Sequence, residues 1–354
     1  MTESLHLGIL GGTELPGNVT TLLSNVRRLL DSCDQQFDCD LITSADIDPP
    51  DGYRPITITH GDVATARARM KVLFRALTTY VSQEQPDVLL QVTRFPTHGP
   101  AVALAGRQTR TPTITRLAGD NFREYRFTTG VGNTLRTFVL KNIISLTAVH
   151  LSTAVIVLGP TGRRDIRMHG RRSGVWEIPQ PVDTAQFTPG NADHLRESLG
   201  IGLDERLLLT VGRVSRRKGA ECIRRVAATR DEPWVVVGDG PMRELLAEVP
   251  TVQTVGRVPH DQIADYYRAA DVYVHPSLHE GLPNALLEAT ACGTSCIARD
   301  VGECGMIAES TFETYAELQK ALDRTYNQVE LDPRFKDEHL AEQYSRLLTG
   351  VVDS

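Results

Sequence analysis

Aromatic residues and cysteines are scarce in this sequence, and neither class is clustered. Aromatic residues make up 6% of the 354 positions, and the six cysteines form no Cys-x-x-Cys pair and no Cys/His group at zinc-binding spacing. The first residues show no basic and apolar leader pattern. Dispersed cysteines without a leader are typical of reduced thiols, so we expect a cytosolic protein.

Long apolar runs are also missing. The 21 residues from Asn142 to Gly162 lack Asp, Glu, Lys and Arg, but they include His150, Pro160 and several Ser and Thr, which are unfavourable in hydrocarbon. We expect a buried helix there that leads into a buried strand. With 41% hydrophobic residues and only 28 Gly and 19 Pro, the chain is globular rather than fibrous or disordered, and its length predicts two domains.

Acidic residues are depleted in one part of the chain. Residues 60–180 hold 17 Lys and Arg against 7 Asp and Glu, although the whole chain carries a net charge of −6. The densest basic group consists of Arg163, Arg164, Arg167, Arg171 and Arg172. Such an excess suits a phosphate-bearing substrate or an acidic lipid surface, and a solvated face paired with the acidic half is the alternative. Because few aromatic residues and no binding motif accompany these arginines, no nucleic-acid partner is expected.

Short apolar strands alternate with helical segments along the chain. The predicted strands are Leu5–Leu10, Asp87–Val92, Pro112–Leu117, Ala154–Leu158, Leu207–Val211, Trp234–Val237, Val252–Val255, Val272–Val274 and Ser295–Ala298. Continuous apolar strands favour parallel sheets covered by helices on both faces. The sequence therefore predicts an α/β fold of two doubly wound, Rossmann-like domains facing a central cleft, with a hinge near residue 183 and ligands at the carboxyl ends of the strands.

Charged or glycine-containing loops follow several of these strands. The loop 212–219 places Arg213 and Lys218 where two cations could hold a diphosphate and neutralise the charge that develops as it leaves. The segment 280–284 precedes a helix whose first free amides favour an anion, and Glu288 lies about two turns further on. Each motif alone is equally typical of an ordinary turn, but the whole set is not.

Six motifs occur in a fixed order. They are Gly212-Arg213…Lys218-Gly219, Gly238-Asp239-Gly240-Pro241, Val255-Gly256-Arg257-Val258-Pro259, Tyr266–Val272, Pro276-Ser277 and Glu280-Gly281-Leu282-Pro283…Glu288-Ala289. Together they resemble the retaining nucleotide-sugar glycosyltransferases of family 4, which have the GT-B fold. The resemblance covers residues 178–299 strongly and residues 1–177 only weakly. It implies an acceptor-binding domain over 1–183, a donor-binding domain over 184–334 and a closing helix, 335–354, that returns to the first domain.

The resemblance also implies roles for individual residues. Glu288 would bind the ribose hydroxyls, and the backbone near Val258 would meet the base. The diphosphate and the sugar would be held by Gly12, Arg213, Lys218, Glu280, Gly281, Leu282, Pro283 and Asn284, of which Pro283 has no N–H to donate. Transfer would need no metal ion and no other cofactor, so Arg213 and Lys218 would provide the main electrostatic stabilisation.

One family feature is missing from the first domain. Family members often carry a His near the sugar, just after a strand, whereas the corresponding stretch here runs from Arg116 to Asp120 without one. Asp120 is one candidate for this catalytic role, and His98, on the predicted loop 94–99, is the other. A lone loop His is more often structural or solvated.

The acceptor is expected to meet the first domain. Its basic excess and the apolar residues Leu135, Phe138, Val139, Leu140, Ile143 and Ile144 favour peripheral attachment to an anionic membrane, on the inner face of the cell membrane, and a glycan or lipid-linked acceptor. The alternative is that this helix packs in the core. Two further functions stay open: a GT-B epimerase or phosphorylase, and a catalytically silent nucleotide-sugar-binding protein.

Overall fold

The computed structural model describes residues 4–12, 17–44, 48–58, 65–119 and 121–353, without the side chains of residues 17, 18 and 44. The chain forms two compact units. One unit contains residues 1–181 and 337–354, and the other contains residues 182–336. The polypeptide therefore leaves the first unit after Pro181 and returns to it at Asp337.

The first unit is built on a parallel sheet of seven strands in the order β3-β2-β1-β4-β5-β6-β7. Its strands are β1 (Leu5–Gly12), β2 (Phe37–Ser44), β3 (Arg54–Ile58), β4 (Val88–Gln91), β5 (Thr113–Leu117), β6 (Ala154–Val157) and β7 (Val175–Glu177). Its helices are α1 (Gly17–Asp31), α2 (Ala66–Glu84), α3 (Phe95–Thr109), α4 (Val131–Val139), α5 (Leu146–Leu151), α6 (Pro160–Met168) and α13 (Asp337–Val352), with a 3-10 turn at Glu124–Phe127 and a π-helical turn at Leu140–Ile144.

The last helix belongs to the core of this first unit. Leu340 and Tyr344 of α13 are buried together with Leu23 and Val26 of α1 on one face of the sheet. These apolar residues recur at helical spacing, so each helix presents a single apolar stripe to the sheet. Helices α2 and α3 cover the opposite face.

The second unit has a parallel sheet of six strands in the order β10-β9-β8-β11-β12-β13. Its strands are β8 (Leu208–Val211), β9 (Trp234–Val237), β10 (Val252–Gly256), β11 (Val272–His275), β12 (Ser295–Arg299) and β13 (Ser310–Phe312). Its helices are α7 (Asp193–Leu199), α8 (Ala220–Ala227), α9 (Arg243–Ala247), α10 (Ile263–Ala269), α11 (Asn284–Ala291) and α12 (Tyr315–Leu322). Trp234 is completely buried in its core.

All nine predicted strands are present, with ends shifted by at most two residues. The prediction missed four strands: Phe37–Ser44, Arg54–Ile58, Val175–Glu177 and Ser310–Phe312. The predicted buried helix that leads into a buried strand is confirmed in the region 142–162: α5, with Ala148 and Val149 buried, precedes the buried strand β6, and the end of the π-helical turn lies before α5. None of the described helices has the length and apolar character needed to cross a bilayer. All six cysteines are unpaired, as expected.

The basic group 163–172 is partly structural. Arg163 forms an ion pair with Glu177, and Arg171 donates hydrogen bonds to the carbonyls of Val149 and Ser152 at 2.6 and 2.7 Å. Arg164, Arg167 and Arg172 are exposed. Only these three side chains therefore remain available to an anionic partner.

Candidate active site

Each sheet reverses its strand order at one position, between β1 and β4 in the first unit and between β8 and β11 in the second. In parallel α/β sheets the connections diverge at such a position and leave an opening at the carboxyl edge, where ligands bind. Most of the predicted site residues follow these four strands. The topology of each unit therefore supports the position of the candidate site.

In the second unit, the loops after β8 and β11 are held together by backbone contacts. The amide of Leu278 donates to the carbonyl of Arg217 at 2.8 Å. Gly219 has φ +82°, and a Cβ there would lie 2.2 Å from the carbonyl oxygen of Pro276. Only glycine fits this close approach. The two loops therefore hold Lys218 and Glu280 in a fixed relation.

Lys218 and Glu280 form the centre of a chain of polar side chains. The Lys218 ammonium forms an ion pair with Oε1 of Glu280. Nε2 of His275 lies 3.3 Å from the same oxygen, and the hydroxyl of Tyr273 lies 3.0 Å from Nδ1 of His275. The Tyr273 hydroxyl also donates to the carbonyl oxygen of Val211 at 3.4 Å. The sequence analysis identified Lys218 and Glu280 but missed His275 and Tyr273.

The charge of Glu280 is stabilised by these contacts. Burial alone would raise the pKa of this carboxyl group, whose side chain is only 12% exposed. Hydrogen bonds and favourable charge from His275 and Lys218 outweigh burial and hold its pKa well below the usual range. Glu280 is therefore a carboxylate at neutral pH, suited to accept hydrogen bonds from hydroxyl groups.

Arg213 completes the positive charge of this region. Its side chain is exposed, and it makes no hydrogen bond or ion pair within the part of the chain that the structure describes. Arg213, Lys218 and His275 line one small pocket at the end of β8 and β11. A guanidinium without an internal partner next to a lysine is suited to bind a phosphate group.

The helix after β11 presents its amino end beside these charges. Pro283 is the N-cap residue, and Asn284 is the first helical residue. The loop before it is fixed by the segment after β12: the amide of Glu303 donates to the carbonyl of Gly281 at 2.8 Å. The side chain of Leu282 is buried, so this residue can offer a ligand only its backbone.

Glu288 is buried in α11 and held by two side chains from neighbouring elements. The Tyr267 hydroxyl donates to Oε2 at 3.0 Å, and Nε2 of His260 lies 3.5 Å from Oε1. The hydrogen bond to Glu288 raises the pKa of His260 above its ordinary value. His260 is two residues after Val258, so its contact with Glu288 brings the carboxylate close to the predicted base-binding backbone.

In the first unit, Gly12 and His98 are in contact. Gly12 has φ +101°, and a Cβ on it would lie 2.4 Å from Cε1 of the His98 ring. His98 is completely buried, and burial lowers its pKa to about 3, so the ring is neutral. Its Nδ1 lies 3.4 Å from the Thr93 hydroxyl, and its Nε2 is buried without a partner among the described residues.

The prediction that His98 lies on a loop is wrong. The residue belongs to the first turn of α3, because the helix begins at Phe95. Pro96 lies in this first turn, where proline is favoured at the start of a helix, and the loop prediction did not use this signal. The ring is buried, and nothing tests its catalytic role, which stays a prediction. Asp120, the other candidate, lies outside the described residues.

Comparison with known proteins connects this geometry to one family. Residues 205–327 match the profile of the family described as Glycosyl transferases group 1. The matched residues lie within the second unit. The predicted resemblance to glycosyltransferases is confirmed over these residues, which include every site residue named above in the second unit. Membership of family 4 and the retaining mechanism stay predictions.

Individual relatives agree with this assignment. The chain is 28% identical over 256 residues to TuaC of Bacillus subtilis, a protein named as a glycosyltransferase of teichuronic acid biosynthesis, covering 71% of this chain and 63% of the relative. It is 28% identical over 233 residues to a GDP-mannose-dependent alpha-mannosyltransferase of Corynebacterium glutamicum, covering 64% and 54%. The chain thus spans less than two thirds of the length of these relatives.

A solved structure supports the fold of the whole chain. HepE from Anabaena, solved with UDP-glucose, has a TM-score of 0.72 and 16% identity, covering 98% of this chain and all of HepE. The predicted α/β class with two Rossmann-like, parallel-sheet domains of the GT-B fold is confirmed.

Proposed function

We propose that the protein is a retaining, family 4 glycosyltransferase that moves a sugar from a nucleoside-diphosphate sugar to an acceptor hydroxyl. The observation that carries this proposal is the group Arg213, Lys218, Glu280 and His275 at the carboxyl edge of β8 and β11. Cations for a diphosphate and a carboxylate for sugar hydroxyls occur there within a few ångströms. The match of residues 205–327 to group 1 glycosyltransferases supports the same function.

The proposed catalysis is electrostatic. Arg213 and Lys218 bind the diphosphate and stabilise the negative charge that grows on it as the bond to the sugar breaks. Glu280 accepts hydrogen bonds from sugar hydroxyls and so orients the ring, while Glu288 binds the ribose. The leaving phosphate helps to remove the proton from the acceptor hydroxyl, which attacks from the same face and preserves the configuration of the sugar.

The donor also determines the first experiment. A thermal-shift panel of UDP-, GDP- and ADP-sugars should raise the melting temperature with one nucleotide class. A ligand at about 100 times its dissociation constant adds about 2.7 kcal/mol of stability. If no nucleoside-diphosphate sugar raises the melting temperature, the proposal fails. Proton NMR of the product gives the anomeric configuration and tests retention.

Metal independence is a separate part of the proposal. The sequence contains Asp46-Ile47-Asp48 just after β2, an Asp-x-Asp pattern of a kind that can bind a divalent cation. We expect turnover to be unchanged by a chelator and by the Asp48→Asn variant. Loss of activity in EDTA, with recovery on addition of Mg²⁺ or Mn²⁺, would contradict metal independence.

The acceptor is proposed to be a glycan or a lipid-linked glycan. The name of the Bacillus subtilis relative, which refers to teichuronic acid biosynthesis, supports an envelope glycan. Nucleotide release measured with and without acceptor separates the alternatives. Release that requires a glycan acceptor supports the transferase. Release that requires only inorganic phosphate indicates a phosphorylase, while an epimerase makes no glycoside and a silent binding protein releases nothing.

A further inference from the structure

Helix α4 of the first unit exposes an apolar stripe. Val131 is 89% exposed, Leu135 61%, Phe138 39% and Ile143, in the π-helical turn after α4, 56%. The alternative that this helix packs in the core is therefore wrong for Leu135, Phe138 and Ile143. The other predicted apolar residues, Val139, Leu140 and Ile144, are partly buried. A row of large apolar side chains in water is unfavourable, and such patches on soluble proteins mark interaction surfaces.

The π-helical turn aligns the last member of this stripe. Val131, Leu135 and Phe138 are spaced i, i+4 and i+7, and an uninterrupted α-helix would next place Asn142 on the same face. In the turn, the amide of Ser145 donates to the carbonyl of Leu140 at 3.1 Å, five residues back. This adds one residue to the turn and brings Ile143 into the position of Asn142.

The position of Asn142 supports this geometry. Its side-chain nitrogen is buried and has no partner among the described residues. An asparagine that is turned inward at such a site is unfavourable. The π-helical turn thus replaces a polar group on the exposed face by an isoleucine. The result is a continuous apolar face from Val131 to Ile143.

The charged side chains that border this face without an ion-pair partner among the described residues are positive. Residues 125–164 include no Asp or Glu. Arg126 and Arg136 are exposed, and Lys141 is paired with Glu124. Arg126 lies 5.9 Å from the centre of the Tyr125 ring, and that ring packs edge-on against Phe138 at 5.2 Å. Free cations therefore border the apolar face directly.

We propose that this face, formed by Val131, Leu135, Phe138 and Ile143 and bordered by Arg126 and Arg136, binds the surface of an anionic lipid bilayer. Exposed apolar side chains enter the boundary between headgroups and acyl chains, and the arginines bind anionic headgroups. The segment follows β5, so it leaves the sheet at the carboxyl edge, where the fold binds ligands. Binding would bring this edge to a lipid-linked acceptor.

Vesicle flotation of the full chain tests the proposal. The expected result is binding to vesicles of phosphatidylcholine with 30% phosphatidylglycerol and weak binding to phosphatidylcholine alone. The double variant Val131→Gln/Leu135→Gln should bind at least about tenfold more weakly, because each buried CH₂ contributes about 0.8 kcal/mol. Arg136→Glu should remove the preference for anionic vesicles. Leu203→Gln, at an apolar residue that is 57% exposed in the second unit, is the matched control.

A fluorescence experiment makes the test independent of sedimentation. The variant Leu135→Trp adds a third tryptophan to the chain, whose emission should shift to the blue with anionic vesicles and be quenched by brominated lipids. No shift, equal binding to neutral and anionic vesicles, or equal effects of the control variant would overturn the proposal. So would a dimer in sedimentation velocity that the double variant converts to a monomer. If the protein binds a nucleotide sugar in the thermal-shift panel but does not bind vesicles, the membrane-binding proposal is wrong and the proposed transferase function is unaffected.

Discussion

Replacing Lys218 by alanine should weaken the binding of a nucleoside diphosphate about 10- to 150-fold. The Lys218 side chain is only 28% exposed and its ammonium is paired with Glu280, so it cannot move freely away from a ligand at this edge of the sheet. A hydrogen bond to a charged group contributes about 1.5–3 kcal/mol. That free energy corresponds to the stated range of affinity.

The assay is calorimetric titration with the nucleoside diphosphate that the thermal-shift panel selects, repeated with the monophosphate and the nucleoside. Lys218 is proposed to contact the diphosphate, so the loss should be largest for the diphosphate and absent for the nucleoside. Lys218→Met keeps the apolar stem and should lose the same affinity as Lys218→Ala. Equal losses for all three ligands would indicate a general change in the site.

Arg217→Ala is the matched control, because Arg217 is an exposed cation of the same loop. It should bind the diphosphate as the wild type does. Unchanged affinity in Lys218→Ala, or the same loss in Arg217→Ala, would refute the assignment. Melting temperatures without ligand show whether the variants fold, since Glu280 keeps its contact with His275 when the lysine is removed.

Three further predictions concern other contacts. Tyr267→Phe removes the hydrogen bond to Glu288 and should weaken nucleotide binding about threefold to tenfold, measured by the same titration. His260→Gln should lower stability most below pH 6.5 and progressively less as pH rises through the raised pKa of His260, because the folded state favours the charged imidazole there; urea unfolding at several pH values measures this. Gly12→Ala should destabilise the first unit by about 1–3 kcal/mol, because its Cβ would lie 2.4 Å from the His98 ring and because φ +101° is unfavourable for alanine. In the Gly12→Ala background, His98→Ala should restore the stability lost to the clash but not that lost to the backbone conformation. A double-mutant cycle separates the two contributions.

The sequence predicted the second unit better than the first for physical reasons. Its site residues lie in short loops directly after apolar strands, so strand position alone nearly determines where they point. His275 and Tyr273 were missed because they belong to a buried strand and read as core residues. The contact of His275 with Glu280 depends on the fold of the next loop, although a His at the last position of a strand is a usable signal.

In the first unit, tertiary contacts override the local pattern. Strand β2 was missed because its two aspartates interrupt the apolar pattern that predicts a buried strand. One of them, Asp40, is nevertheless buried, with 2% of its surface exposed. Arg54, His6 and Tyr80 donate to it from β3, β1 and α2, and this compensation is invisible in the local sequence. Strand β3 contains Pro55 and lies at the edge of the sheet, the position where proline is tolerated.

Asp40 and Glu280 show how structural and functional carboxylates differ in this chain. Both are buried, and both are paired with cations. Asp40 has donors on both oxygens: Arg54 on Oδ1, and Arg54, His6 and Tyr80 on Oδ2. In Glu280, His275 and Lys218 share Oε1, and within the described residues no donor reaches Oε2.

A buried ion pair adds little net stability, because the loss of hydration offsets the attraction. A buried carboxylate with a purely structural role is expected to accept hydrogen bonds on both of its oxygens, as Asp40 does. Glu280 keeps its charge and leaves one oxygen for a ligand, at the carboxyl edge where the sheet reverses its strand order. The oxygen without a donor, rather than the charge itself, is the observation that favours the prediction that Glu280 binds a ligand.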